Sequence, residues 1–356
     1  MPEYLKNQVI SRPVCLGKPV RPTPLEGDPM TTRLIKSIAL ALAVGCVAPT
    51  TWAQTPAPKW PTQPVRFVVP FPAGSAPDVL IRQVGVKLTD KWGQPVVVDN
   101  RPGGSGVIGM TALLNAPADG ATFGFVQGSA ISVAPSTIKG VTYDFQRDFV
   151  PVTLAAVAPF VLAVPAESPH KTLGDFITES KKQPQGLEVA DNGRGTAPHL
   201  ASALLAMQAG ASFLHVHYPG GAQAMQATLG GQTKMMVETF NVVAGNVNGG
   251  KMRVLASMSD RVEPGLEKFP LAKTTVPGAV AFGWFAVIGR KGVQPEVLAK
   301  LNRDMAEALM LPDVVAKSRE LGVYPRPGTP EQLQQFINED RKTWQVVLDK
   351  LNIKPE

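Results

Sequence analysis

Short apolar runs alternate with longer helical stretches along most of the chain beyond residue 64. VRFVV (65–69), PVVV (95–98), TFGFV (122–126), FVLAV (160–164), LEVA (187–190), FLHVHY (213–218), KMMVET (234–239), RVLAS (253–257) and WFAVI (284–288) read as strands. Several are apolar on both faces, as a parallel sheet covered by helices requires. Between them, DVLIRQVGVKLTDKW (78–92) and HLASALLAMQA (199–209) repeat apolar residues at helical spacing. Strand then helix, repeated, predicts an α/β fold. Near the C-terminus, Thr329 as cap, Pro330 in the first turn and Gln332 completing a capping box open a helix. Its inner face is Leu333, Phe336, Ile337, Trp344, Val347, Leu348 and Leu351. Pro295 opens another, with Val297, Leu298, Leu301, Met305 and Leu309 turned inward.

The N-terminal pattern is different. From Met30 the chain shows Arg33 and Lys36, an apolar core from Ile38 to Ala48, and Thr51-Trp52-Ala53 as a small-x-small cleavage site. Residues 30–53 therefore read as a secretory signal peptide, with a core too short to span a bilayer. Residues 1–29 are Pro-rich and aperiodic and read as an extension upstream of a true start at Met30; residues 54–63 form a Pro-rich tether.

Cleavage changes the composition that matters. The 356-residue chain carries a formal charge of +7, but beyond Ala53 there are 29 Lys and Arg against 25 Asp and Glu. The basic residues are scattered, which argues against nucleic acid as a partner. Both cysteines, Cys15 and Cys46, lie in the removed part, so the mature chain has no disulfide, thiol nucleophile or Cys-ligated metal. Cys46 only faintly resembles a lipid-attachment site, because Ala43 stands where a bulky apolar residue is usual. With 44% hydrophobic and 18% charged residues, the remainder suits one large or two medium globular domains.

Four small-residue loops each follow a predicted strand: PFPAGSAPD (70–78), NRPGGSGVIG (100–109), QGSA (127–130) and DNGRGTAPH (191–199). In open α/β sheets such loops gather around a crevice beyond the carboxyl ends of the strands. Small residues let backbone amides approach a ligand, and a helix start adds unpaired N–H groups, so the crevice suits an anion.

Other chemistries fit less well. Gly104-x-Gly106-x-x-Gly109 matches the dinucleotide spacing, but Asn100, Arg101 and Pro102 lengthen the turn and the next strand ends in Val126-Gln127 without an acid. No G-x-S-x-G elbow is present, and four histidines give Ser75, Ser105 and Ser129 little choice of base. His215-x-His217 points two imidazoles to one side of a strand, which suits a metal. With no third His or Cys near in sequence, the pair reads as half-buried strand residues. His199, following Thr196, is placed to cap a helix or to line the cleft.

The segments VPFPAGSAPDVLIR, GQPVVVDNRPGGSGVIG, APADGATF, YDFQRDFVPVT, NGRGTAPHLA, HVHYPGG and LGVYPRPGTPEQL occur in this order. They closely resemble the tripartite tricarboxylate transporter substrate-binding family, the Bug proteins, over residues 60–356. The resemblance implies a periplasmic, type II-like two-lobed binding protein, each lobe a mostly parallel sheet flanked by helices, with the ligand cleft between lobes. Lobe I is expected over 64–157 and 281–356 and lobe II over 158–280, the two crossings acting as a hinge. It further implies a small carboxylate ligand (dicarboxylate, tricarboxylate or related organic acid), no catalysis, no cofactor or metal, and a monomer. The membrane components of a tripartite tricarboxylate transporter are the implied partners.

By the same resemblance, the loop Phe71–Asp78 meets the loop Asp191–Thr196, and together they grip a carboxylate, partly through ordered water. Pro72 and Ala73 shape the first loop, Gly74, Ser75 and Ala76 present amides, and Asp78 caps the helix start. Asn192, Gly193, Gly195 and Thr196 supply the second loop, with Ser129 beside them. Departures bear on specificity. Lys234 and Glu238 stand where relatives usually carry aspartates, and Asp191-Asn192 replace a common Ser-Ser pair. Arg194, between two glycines, either meets a second ligand carboxylate or is a solvated loop residue. Glu238 is suited to accept an ammonium group, so a receptor for an amino acid or amide stays open, as does a secreted hydrolase using the same cleft.

Overall fold

In the first turn of the final helix, Thr329 Oγ1 accepts the Gln332 N–H and Gln332 returns the bond to the Thr329 N–H, the capping box expected from sequence. This computed structural model describes residues 59–355. The expected upstream extension, the signal peptide and the first part of the tether lie outside the described residues.

Among the described residues, ten strands form one mixed sheet. In chain order they are β1 (Val65–Val69), β2 (Val96–Asn100), β3 (Thr122–Gln127), β4 (Phe149–Pro165), β5 (Leu187–Asp191), β6 (Phe213–His217), β7 (Met235–Thr239), β8 (Met252–Ser257), β9 (Phe282–Arg290) and β10 (Tyr324–Pro325). The spatial order is β2-β1-β3-β9-β4-β7-β5-β6, with β8 and β10 also paired to β4. Toward the two ends the pairs β2–β1–β3 and β7–β5–β6 are parallel, as expected of strands joined by helical crossovers. At the centre, β9 and β4 run antiparallel to their neighbours and join the two halves.

The long β4 is where the fold differs most from the sequence pattern, which gave only residues 160–164. Pro151 and Pro159 cannot donate to a ladder and obscure the strand. The register shifts between Pro151 and Thr153, and again between Leu154 and Ala156, so the strand passes its first proline on a bulge. Phe149–Pro159 pairs with β9, whereas Phe160–Pro165 pairs with β7 and β8. A single strand therefore belongs to both halves.

Each half has its own apolar core. In the first, helix Ala76–Trp92 turns Leu80, Ile81, Val84 and Leu88 onto Phe67, Phe123 and Phe125. Each such side chain contributes about 1.5–3 kcal/mol on burial. In the second, helix Ala197–Ala209 packs Leu200, Leu204 and Leu205 on Val189, Met235 and Val237. The final helix, Pro330–Lys350, touches more than one core: its Leu333 and Ile337 pack in a cluster that holds Val126 and Ile288 of the first half and Ala190 and Met236 of the second. Its Trp344, Val347 and Leu348 join the second core. Among the described residues, no helix is long and apolar enough to cross a membrane.

Candidate functional site

The first glycine-containing loop leaves β1 and enters helix Ala76–Trp92 through Ser75, whose side chain makes no cap bond to that helix. Asp78 sits inside the first turn, so it is not the cap itself. Its buried carboxylate reaches back: Oδ2 accepts the Gly74 N–H (2.8 Å) and Arg82 Nε–H (3.0 Å), and Oδ1 accepts Asn100 Nδ2 (2.8 Å). Asn100 also donates to the Phe71 carbonyl (3.0 Å), tying the loop to the end of β2. Burial alone would raise the Asp78 pKa, but Arg82, Asn100 and Gly74 outweigh it and hold the carboxyl below its ordinary range. Ser75 gives both its hydroxyl (2.7 Å) and its N–H (3.3 Å) to the Pro72 carbonyl. The amides of Gly74 and Ser75, expected to face a ligand, are thus engaged inside the loop. Ala76, in the first helical turn, has no intrahelical acceptor for its N–H.

The neighbouring loops are drawn in closely. A Cβ on Gly109 would lie 2.7 Å from Pro70 Cβ, and one on Gly106 would lie 2.8 Å from Ala130 Cβ. Gln127 Nε2 donates to the Ser105 carbonyl (2.8 Å). The Gly104–Gly109 motif therefore serves loop-to-loop packing.

On the second half, Thr196 caps helix Ala197–Ala209, accepting the His199 N–H (3.5 Å) and donating its hydroxyl to the Gly193 carbonyl (2.7 Å). The Gly193 N–H goes to Asp191 Oδ1 (3.0 Å) and the Gly195 N–H to His199 Nδ1 (2.9 Å). These two amides are also engaged internally. Arg194 is exposed.

A cavity of about 200 Å³ brings part of the expected set together. Ser129, Asn192 and Thr196 line it, joined by Ser105, Gln127, Thr137, Ala197 and Pro198. It lies off the carboxyl ends of β3 and β5, and its lining carries no charged side chain. Pro72–Ala76, Asp78, Gly193, Arg194, Gly195 and Glu238 are not on that lining, although a Cβ on Gly195 would come within 3.8 Å of Thr137. Ser105 and Gln127 were missed because one belonged to a rejected motif and the other to a strand end. Glu238 is buried at the end of β7. Its Oε2 accepts Asn192 Nδ2 (2.8 Å), and Oε1 accepts the Thr239 N–H (2.8 Å). Burial pushes its pKa up to about 7 against the hydrogen bonds from Thr239 and Asn192. It holds Asn192 and is not presented to the cavity. A larger groove, about 870 Å³, runs along Pro165–His170, helix Leu173–Lys182 and Gly230–Lys234. It lies by the amino ends of β5 and β7, the wrong edge for a ligand crevice of this fold.

Beneath the second loop the structure assembles a cluster that sequence spacing conceals. Parallel pairing sets Asp191 beside His217 and Val189 beside His215. His199 enters from the helix, its ring centroid 4.6 Å from that of His217 and 4.9 Å from that of His215. His217 Nδ1 meets Asp191 Oδ1 at 2.8 Å, and His215 Nδ1 meets Ser202 Oγ at 3.0 Å. Burial, then neighbouring imidazoles, lowers His199 to about 3 and His215 to about 4, while burial raises the Asp191 carboxyl against His217 and Gly193. The third histidine, absent near the His-x-His pair in sequence, is therefore present in space.

Residues 80–353 match the family described as tripartite tricarboxylate transporter family receptor. The chain is 35% identical over 318 residues to a UPF0065 protein from the tcbD-tcbE intergenic region of Pseudomonas sp. strain P51, covering 89% of this chain and 93% of the relative. It is 32% identical over 325 residues to Protein BugT of Bordetella pertussis, covering 91% and 98%. Among solved structures, a TctC solute-binding protein from Polaromonas without ligand aligns with a TM-score of 0.74 at 25% identity, over 82% of this chain and 99% of that one. An R. palustris protein solved with adipate aligns at 0.70 and 29% identity, over 83% and 100%. MatC of Rhodopseudomonas palustris with bound malate aligns at 0.66 and 26%, over 81% and 100%. These receptors are binding proteins, not enzymes. The chain belongs to the tripartite tricarboxylate transporter receptor (TctC/Bug) family of periplasmic solute-binding proteins.

Proposed function

We propose that this protein captures a small organic acid carrying one or more carboxylates, between the Pro72–Ala76 loop and the Asn192–Thr196 loop. The observation that carries the reading is the small cavity off β3 and β5, walled by hydroxyls and amides of Ser105, Gln127, Ser129, Asn192 and Thr196 and by the start of a 13-residue helix at Ala197. Neutral donors suffice: three or four hydrogen bonds to a carboxylate, at about 1.5–3 kcal/mol each, cover the roughly 8 kcal/mol of a micromolar binder after ordering costs. Structural relatives with adipate and malate support a diacid of this size.

In this reading residues 64–157 with 281–356, and residues 158–280, are lobes that close about β4 and the start of β9, bringing the Ala76 N–H toward the cavity. Export follows from the leader at 30–53, and delivery is to membrane components of a tripartite transporter. Glu238, buried against Asn192 and Thr239 and off the cavity lining, is poorly placed to meet the ammonium group of an amino-acid ligand.

The test is thermal stabilisation across a panel of mono-, di- and tricarboxylates, with native mass spectrometry of freshly purified protein. A bound acid stabilises by RT ln(1 + [L]/Kd) and is recovered unchanged. Ser129→Ala with Thr196→Ala is expected to abolish the shift. A shift untouched by that double variant, or turnover of the acid, refutes the proposal.

A further inference from the structure

The Asp191 cluster has the composition and spacing of a metal site. Ligand atoms of Asp191, His199 and His217 all lie within 4.8 Å of one another. A tetrahedral ion with bonds of about 2 Å holds its ligands roughly 3.3 Å apart, so small side-chain rotations close the set. A second observation points the same way. Asp191 Oδ2 is buried and has no hydrogen-bond partner, with His215 Nδ1 3.8 Å away. A buried carboxylate oxygen left unpaired is destabilising, and an ion there would supply the missing partner.

We propose that Asp191, His199 and His217 bind one divalent ion of the zinc, cobalt or nickel class beneath the Asn192–Thr196 loop. Two imidazoles and one carboxylate, without cysteine, suit these borderline ions better than calcium or magnesium, which take oxygen cages. His217 is exposed and supplies the way in. His215, held by Ser202, backs the set as a positioning residue.

The geometry also sets the limit on affinity. His199 Nδ1 already accepts the Gly195 N–H, so the neutral ring carries its proton on Nε2. Ligation by His199 at either nitrogen therefore displaces that hydrogen bond, and binding is expected in the micromolar range. The proposal is independent of which organic acid the cleft takes.

The experiment uses tag-free, chelator-treated protein without added organic acid. Zn²⁺ is titrated calorimetrically, and Co²⁺ is followed by its visible absorption. One ion per chain is expected, with the cobalt spectrum of a site containing nitrogen ligands. His217→Gln and Asp191→Asn should each weaken Zn²⁺ at least tenfold. His217 is surface-exposed, so its variant remains informative if the Asp191 variant folds poorly. His170→Ala, the one histidine outside the cluster, should leave binding unchanged. No saturable binding, a stoichiometry above one that ignores His217→Gln, or loss on His170→Ala overturns the proposal.

Discussion

The two glycine-containing loops follow one plan and settle their charges in opposite ways. Each leaves a parallel strand, turns on glycine, enters a helix and folds over a buried aspartate. Asp78 has every oxygen engaged and an arginine beside it, and its carboxyl is held low. Asp191 shares one oxygen between Gly193 and His217, leaves the other unpaired, and is held high by burial. The first loop is therefore complete as it stands, whereas the second leaves a buried carboxylate oxygen without a partner beneath it.

Acid separates the two most strongly. His199 and His215 titrate near 3 and 4 in the fold against an ordinary 6.5. Unfolded, they take up protons as pH falls through 6.5; folded, they resist until well below it. Their contribution is full above 6.5 and declines as pH drops toward 4, each ring then costing about 3 kcal/mol. Asp191 and Glu238, both held high, offset part of this as they protonate in the fold. Asp78, held low, keeps its contribution above 3.8 and loses it only below. In an amide NMR titration, local opening that lets these rings protonate is expected to cost Gly195 and Thr196 their native shifts as pH falls toward 4, while Gly74 keeps its own. Simultaneous loss from both loops would contradict this contrast.

The same contrast predicts unequal responses to neutralising each aspartate. Asp78→Ala strands Gly74 and Asn100 and removes the Arg82 pair; because Arg82 is itself 47% exposed, about 2 kcal/mol is the expected cost. Asp191→Asn keeps an oxygen for Gly193 and deletes a buried charge, so less than about 1 kcal/mol is expected at neutral pH without metal. Chemical denaturation of both variants checks the pair. A larger loss at Asp191 than at Asp78 reverses the assignment of which loop is complete.

Much of this plan is legible in the sequence, because local chemistry sets it. The strand runs and the Thr329–Gln332 box need only neighbouring residues. The long β4 is hidden because Pro151 and Pro159 break its pattern while bulges keep it in the sheet. The histidine cluster is hidden for another reason: His199 and His217 meet only once β5, β6 and the intervening helix are packed. The fate of the glycine amides is equally three-dimensional. Asp78 four residues after Gly74, and His199 four after Gly195, take those N–H groups through side-chain geometry that residue types alone leave open.

The smallest effect tests whether the first loop joins the second at the ligand. Gly74 has φ +81° and Gly195 φ +74°, and a Cβ at Gly74 meets nothing within 4 Å while one at Gly195 only reaches Thr137 at ordinary contact distance. Alanine at either position should therefore cost the same left-handed strain, about 1 kcal/mol. Affinity should not respond equally. At Gly195 the methyl group enters beside Thr137 on the cavity wall, and about a tenfold loss, some 1.4 kcal/mol, is expected. At Gly74 the amide already belongs to Asp78, so the methyl group acts only by hindering closure, and a loss of about threefold follows. Calorimetry with whichever acid the panel identifies reads both variants. If Gly74→Ala leaves affinity untouched while Gly195→Ala lowers it, the first loop is scaffold and the second half carries the grip alone. If the order inverts, the Pro72–Ala76 loop carries the grip, and Ala76, at the start of the helix, is the donor to remove next.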